Sequence, residues 1–259
     1  MELEVPDAAT SSAPGPTDSV IYDAPPPVER DLGPFRVKLA DGVLTVTMAE
    51  HHADEASARA SVEPYLTAWE IHAALCRGRG ELAFRFEKAE VVDRNPPAAG
   101  SPQTVLAAMA GHIRVSGKLA ALQVTRRTYP EPPGGFVASP DVETLYQRYE
   151  GYLNGREPIG SMAYFCLTVL EGLAGGRAGD ATTFGISLAV LDRLGRLATE
   201  IGDDRTRRKF GPPSTPPPKR AVAWLDAAVK AIILRVGEWA HNSDAPRPQL
   251  TMGDLPSLD

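Results

Sequence analysis

Residues 129–140 hold four prolines and the pair Gly134-Gly135. No regular element runs through such a stretch: proline removes a backbone donor and fixes φ, and glycine carries a large ordering cost. The apolar pattern changes across it. Upstream, apolar residues alternate in short runs, and downstream they recur at helical spacing. The stretch therefore reads as a linker. It separates a β-rich α+β domain over residues 35–128 from an all-α helical bundle over 141–243, with 244–259 as a C-terminal tail.

Within the first half, residues 36–39 and 43–48 flank Asp41-Gly42, and Asp-Gly between alternating runs signals a hairpin. Residues 51–60 are acidic and alanine-rich, a helical pattern. Ser61 then reads as the cap of a second helix, with Pro64 in its first turn. Val62, Tyr65, Leu66, Trp69, Ala73 and Cys76 form its apolar stripe, and Gly78 and Gly80 stop it. Leu82, Phe84 and Phe86 alternate with Ala83, Arg85 and Glu87 as a half-buried strand, and residues 104–115 and 118–127 read as two more. The order β-β-α-β-β-β predicts an antiparallel sheet with a helix covering one face.

In the second half, Ser139 caps a helix over 141–153, and Pro158 opens another that runs to about residue 173. The centre of the latter, residues 162–170, is apolar nearly all round. At this length that describes a helix central in a bundle rather than a membrane span. Residues 186–201 form a third helix, and a fourth starts near Thr215 and ends at about His241.

The net charge of −6 comes from one place, because residues 1–34 hold seven acidic residues and one basic residue. The same segment has seven prolines and apolar residues without a period. It buries too little to offset its ordering entropy and is expected to be a disordered acidic tail. Cys76 and Cys166 lie in apolar segments without a CxxC partner, and no basic, apolar, small-residue leader opens the sequence. Two reduced thiols in a cytoplasmic protein are expected.

The sequence has no phosphate-binding GxxxxGK[ST] loop, no GxSxG elbow, no HExxH and no EF-hand loop. No cofactor or metal is expected. His72 and Cys76 have the i, i+4 spacing of metal ligands, but a closed zinc site needs four, and His72 reads as a partly buried core histidine. Arg205, Arg207, Arg208, Lys209, Lys219 and Arg220 supply six positive charges with no acid between the first and the last. Such a run suits phosphate contacts with RNA, or a solvated interhelical loop. Glu171 stands in the most apolar helix. It either pairs with an arginine of a neighbouring helix or reaches water at the helix end.

The last constellation is Arg235-Val236-Gly237-Glu238-Trp239-Ala240-His241. An arginine can hold a phosphate and a histidine can move a proton near neutral pH, a pairing suited to metal-independent phosphodiester cleavage. Six residues turn a helix by about 600°, which sets the two side chains about 120° apart. Convergence then needs His241 beyond the helix end or a partner subunit. Alternatively, both are structural residues of a helix C-terminus, favoured by the macrodipole.

Residues 162–171, 186–201 and the terminal helix with Arg235 and His241 together resemble the C-terminal helical domain of HEPN-like proteins, marked by Arg, four to six residues, then His. Such domains often follow a β-rich N-terminal domain, as in the ApeA-like defence proteins. The resemblance spans about 100 residues, 141–242. It implies an up-down bundle, frequently a homodimer, with RNA binding or RNA cleavage and roles for Arg235 and His241. Val236 stands where the family usually has a polar residue. Two functions follow: an RNA-binding protein or ribonuclease of a defence or stress system, or a non-enzymatic interaction module whose Arg235 and His241 are structural.

Overall fold

The computed structural model describes residues 19–91, 107–112, 123–200 and 218–258. Its first half is an antiparallel sheet covered by a helix, and its second half is helical. Strands β2 (Val28–Asp31), β3 (Phe35–Ala40), β4 (Val43–Met48), β5 (Phe86–Val91) and β6 (Ala107–His112) form one sheet in the order β2-β3-β4-β6-β5. The β3–β4 hairpin turns on Asp41 and Gly42, both at positive φ (52° and 73°), as a tight two-residue turn requires. Phe35, Val37 and Leu39 of β3 and Leu44, Val46 and Met48 of β4 alternate inward. They meet α1 (Glu55–Arg77), whose Val62, Leu66, Trp69 and Ala73 complete a first core.

Helix α1 is one helix where two were expected. Asp54 caps it, accepting a hydrogen bond from the Ser57 backbone N–H at 2.8 Å. Ser61 caps nothing; its hydroxyl donates back to the Ala58 carbonyl at 2.7 Å. Pro64 lies inside the helix on its exposed side, where the carbonyl that loses a donor can turn to water. Strand β5 begins only at Phe86, because the Phe84 N–H donates to the Glu70 carboxylate instead of to a neighbouring strand.

Two further expectations are corrected. Within residues 1–34, which were expected to be disordered, β1 (Ser19–Tyr22) and β2 are strands, and Val20 and Val28 are buried. Strand β1 pairs with β7 (Gln123–Arg126) in a separate two-stranded sheet, and the pairing is parallel. It is locked by Glu81, 1% exposed, which accepts from the Tyr22 hydroxyl at 2.9 Å and from the Arg126 guanidinium at 2.8 Å. The stretch 129–140 is also no free linker. Tyr129, Pro130, Pro132, Pro133, Phe136 and Ala138 are buried. The Tyr129 hydroxyl accepts from Gly42 N–H at 2.8 Å, and the Pro130 carbonyl accepts from the Trp69 indole at 3.2 Å. The prolines leave this strap few backbone donors to satisfy, so it can be buried without a sheet partner.

The second half contains α2 (Pro140–Leu153), α3 (Ile159–Ala174), α4 (Arg177–Thr183), α5 (Leu188–Glu200) and α6 (Lys219–His241). Ser139 caps α2, accepting from Val142 N–H at 3.3 Å. Helix α3 supplies Met162, Ala163, Cys166, Leu167 and Leu170 to a second core, with Trp224, Val229, Ile232 and Ile233 of α6. Ala68, Ile71 and Leu75 of α1 enter the same core, so α1 serves both. The C-terminal segment docks as well: Leu250 and Leu255 are buried, and the Leu250 N–H donates to the Gly185 carbonyl at 2.7 Å. Among the described residues no single helix is long and apolar enough to cross a membrane.

Candidate functional site

Helix α6 carries residues of interest at both ends. Its apolar stripe, from Ala221 through Trp224, Ala228 and Ile232 to Val236, holds it against the core and fixes the direction of each terminus.

At the C-terminal end, Arg235 and His241 line one cleft of roughly 450 Å³ together with Glu238, Arg247 and Gly135. The structure thus brings the pair to a common cleft although His241 is still helical. Both terminal nitrogens of Arg235 are engaged, however. One terminal nitrogen donates to the Glu238 carboxylate at 3.0 Å, the other to the Pro248 carbonyl at 2.7 Å, and the side chain is 16% exposed. Arg247 donates to the Glu238 carbonyl at 3.2 Å, which also accepts from the Asn242 N–H at 3.1 Å, and to the carbonyl of Asn242 just past the helix, closing the C-terminal end of α6. Two arginines therefore bind the C-terminal segment and α6 to each other. His241 is exposed.

The residues between the pair are explained by packing. A Cβ at Gly237 would lie 2.1 Å from a ring carbon of Phe136, so only glycine lets the strap lie on α6 there. The Gly237 carbonyl accepts from Val137 N–H at 3.1 Å. Val236 is buried, and Trp239 meets the Phe184 ring edge-on at 5.5 Å.

At the N-terminal end, Lys219 and Arg220 open α6 after Pro218, and no side chain among the described residues caps the helix. Both are exposed. With Arg193 of α5 they line a cleft of roughly 560 Å³, whose other walls are Leu197, Pro218, Ala221 and Leu258. No carboxylate among the described residues lines it; Asp259, next to Leu258, lies outside them. Two cations in the first turn oppose the helix dipole, a cost of some tenths of a kcal/mol, and stand beside first-turn N–H groups that have no side-chain partner among the described residues. Arg205, Arg207, Arg208 and Lys209 lie outside the described residues.

Glu171 combines its two expected fates. It accepts from Arg177 Nε at 2.9 Å, and its side chain is 36% exposed. Arg177 also reaches Asp192 at 2.7 Å, tying α3, α4 and α5 together. Because water still reaches the pair, Glu171→Ala is expected to cost no more than about 1 kcal/mol. Chemical denaturation of the variant checks this; a loss of several kcal/mol would require a dry pair.

The carboxylate that is fully buried is Asp180 of α4, which sequence reading did not single out. It is 0% exposed, and neither oxygen has a hydrogen-bond partner among the described residues. Burial pushes its pKa up to about 6; the nearby Glu171 charge adds to the shift and Arg177 opposes it. His72 lies half-buried against the Phe136 ring at 5.4 Å, 3.7 Å from Cys76 Sγ, and burial lowers its pKa. Among the described residues no three histidine, cysteine or acidic side chains are grouped as metal ligands. No family model, no curated protein and no solved structure matches this chain.

Proposed function

We propose that this chain is an RNA-binding protein that holds RNA at the N-terminal end of α6 and does not cut it at Arg235 and His241. The observation that carries the reading is the cleft of Arg193, Lys219 and Arg220 at a helix start that no described side chain caps, with no carboxylate among its described walls. Phosphate groups are favoured there by charge and by free backbone N–H groups alike. The four cations at 205–209 precede it in the chain and extend the same positive run. The opposite end of α6 supports a structural role for Arg235, since each of its terminal nitrogens is bonded within the fold, one to Glu238 and one to Pro248. A catalytic arginine would need those donors for the scissile phosphate.

The test is anisotropy with a mixed single-stranded RNA over a range of salt. Affinity is expected to fall steeply with salt. The double variant Lys219→Ala/Arg220→Ala is expected to bind more weakly and to reduce the log–log salt slope by about 1 to 1.5, the loss of two phosphate contacts. His241→Ala is expected to leave binding unchanged. RNA cleavage by the wild type that disappears in His241→Ala would restore the ribonuclease reading. Absence of salt-sensitive binding would remove RNA altogether and leave a protein-interaction module.

A further inference from the structure

The cleft at the start of α6 is built from two helices and the C-terminal segment. Arg193 and Leu197 stand one turn apart on α5 and share a face of it. Lys219, Arg220 and Ala221 open α6 after Pro218, and Leu258 closes a further side. The cations thus come from two separate elements and meet at one space of roughly 560 Å³, within the range of small-ligand sites. None of the three side chains has a hydrogen-bond or ion-pair partner among the described residues. Lys219 and Arg220 are exposed and Arg193 is half-buried, so an occupant of the cleft can reach all three.

The remaining walls decide which kind of phosphate fits. Leu197, Pro218, Ala221 and Leu258 are apolar. An RNA strand running through the cleft would carry a charged phosphate on each side of the one being held. One of these would lie against the apolar walls, where a charge without a partner is costly. A strand that ends in the cleft brings a single phosphate, and its last nucleoside lies against the apolar side. Charge points the same way. An internal phosphodiester carries one negative charge, whereas a terminal phosphomonoester carries about −1.5 to −2 near pH 7 and offers three acceptor oxygens. Three cations beside the first-turn N–H groups of α6 match the monoester better. No aromatic ring is among the described walls, so stacking gives no preference for the base next to the phosphate.

We propose that this cleft holds the terminal phosphomonoester of an RNA strand, with Arg193 of α5 and Lys219 and Arg220 of α6 as its cationic donors. The proposal rests on the RNA-binding reading and names the part of the strand that is bound.

The experiment is anisotropy on the full chain with one internally labelled single-stranded RNA, carrying a 5′-phosphate, a 3′-phosphate, or hydroxyls at both ends. At least one phosphorylated form is expected to bind about tenfold more tightly than the hydroxyl form, the worth of one further charge-assisted hydrogen bond. The end that carries the preference is the end recognised. Lowering the pH from about 7.5 to about 5.5 is expected to shrink the preference, because the monoester takes up its second proton near pH 6. The hydroxyl form, measured alongside, corrects for changes in the protein itself. Arg193→Gln is expected to reduce the preference to about threefold or less. Lys219→Gln, at an exposed position, gives the same reading should Arg193→Gln fail to fold. Equal affinities of the three forms, with binding still salt-sensitive, would overturn the proposal and leave the RNA reading standing. No salt-sensitive binding of any form would overturn both. A preference kept in full by the folded variants would place the phosphate elsewhere and overturn the assignment to this cleft.

Discussion

Deleting residues 1–34 is expected to lower folding stability by about 5 kcal/mol, since two buried valines alone contribute on the order of 3–6 kcal/mol. Val20 and Val28 are 3% and 9% exposed, and β2 pairs along its whole length with β3. The deletion also takes away Tyr22, which donates to both the carboxylate and the carbonyl of Glu81 at 2.9 and 2.8 Å. Glu81 would keep Arg126 but lose a donor while remaining buried, a further penalty of about 1–3 kcal/mol. The readout is the urea midpoint of the shortened chain against the full one. An unchanged midpoint would show that the segment behaves as the solvated tail its composition suggests.

Asp180→Asn is expected to stabilise the protein at pH 7 by up to about 3 kcal/mol, at 1.36 kcal/mol for each unit between an ordinary aspartate near 3.9 and the folded value. Burial holds that folded value at about 6. The sign follows from proton binding. Between about pH 4 and pH 6 the folded state keeps a proton that the unfolded chain has released, so stability falls as pH rises through that window and levels off above it. Asparagine has the same shape without the charge. The variant should therefore match the wild type near pH 4 and exceed it at pH 7. Urea titrations at intervals from pH 4 to 8 test this; parallel profiles for the two proteins would exclude Asp180 as the titrating group.

Elements whose partners are near in sequence were legible. Asp41-Gly42 marked the β3–β4 hairpin, because turn and strands are contiguous and φ > 0 selects those residues. Helices α2, α3 and α6 followed from Ser139, Pro158 and the apolar stripe ending at Val236. Strand β1 was not legible, because it pairs in parallel with a strand about a hundred residues away and its four residues carry no local signal. The buried strap was missed for a different reason. Proline density is read as exposure, yet prolines also suit burial where no acceptor is available, because they bring no N–H to satisfy. At the Arg235–His241 end the residue types were readable and their roles were not. Val236 departs from the family's polar pattern because it packs in the core, and Gly237 beside it is fixed by the Phe136 ring. Asp180 had no signal at all: its helix is seven residues long, and an acid in its first turn is ordinary.

The double duty of α1 bears on how such a chain could have arisen. Leu66 and Trp69 belong to one core, and Ala68 and Ile71, interleaved with them, belong to the other. Recombination at 129–140, the obvious seam in the gene, would move the helical half without the helix face that completes it. The two halves are therefore not exchangeable modules. A lineage could replace α1 as a whole only by a helix that fits both cores.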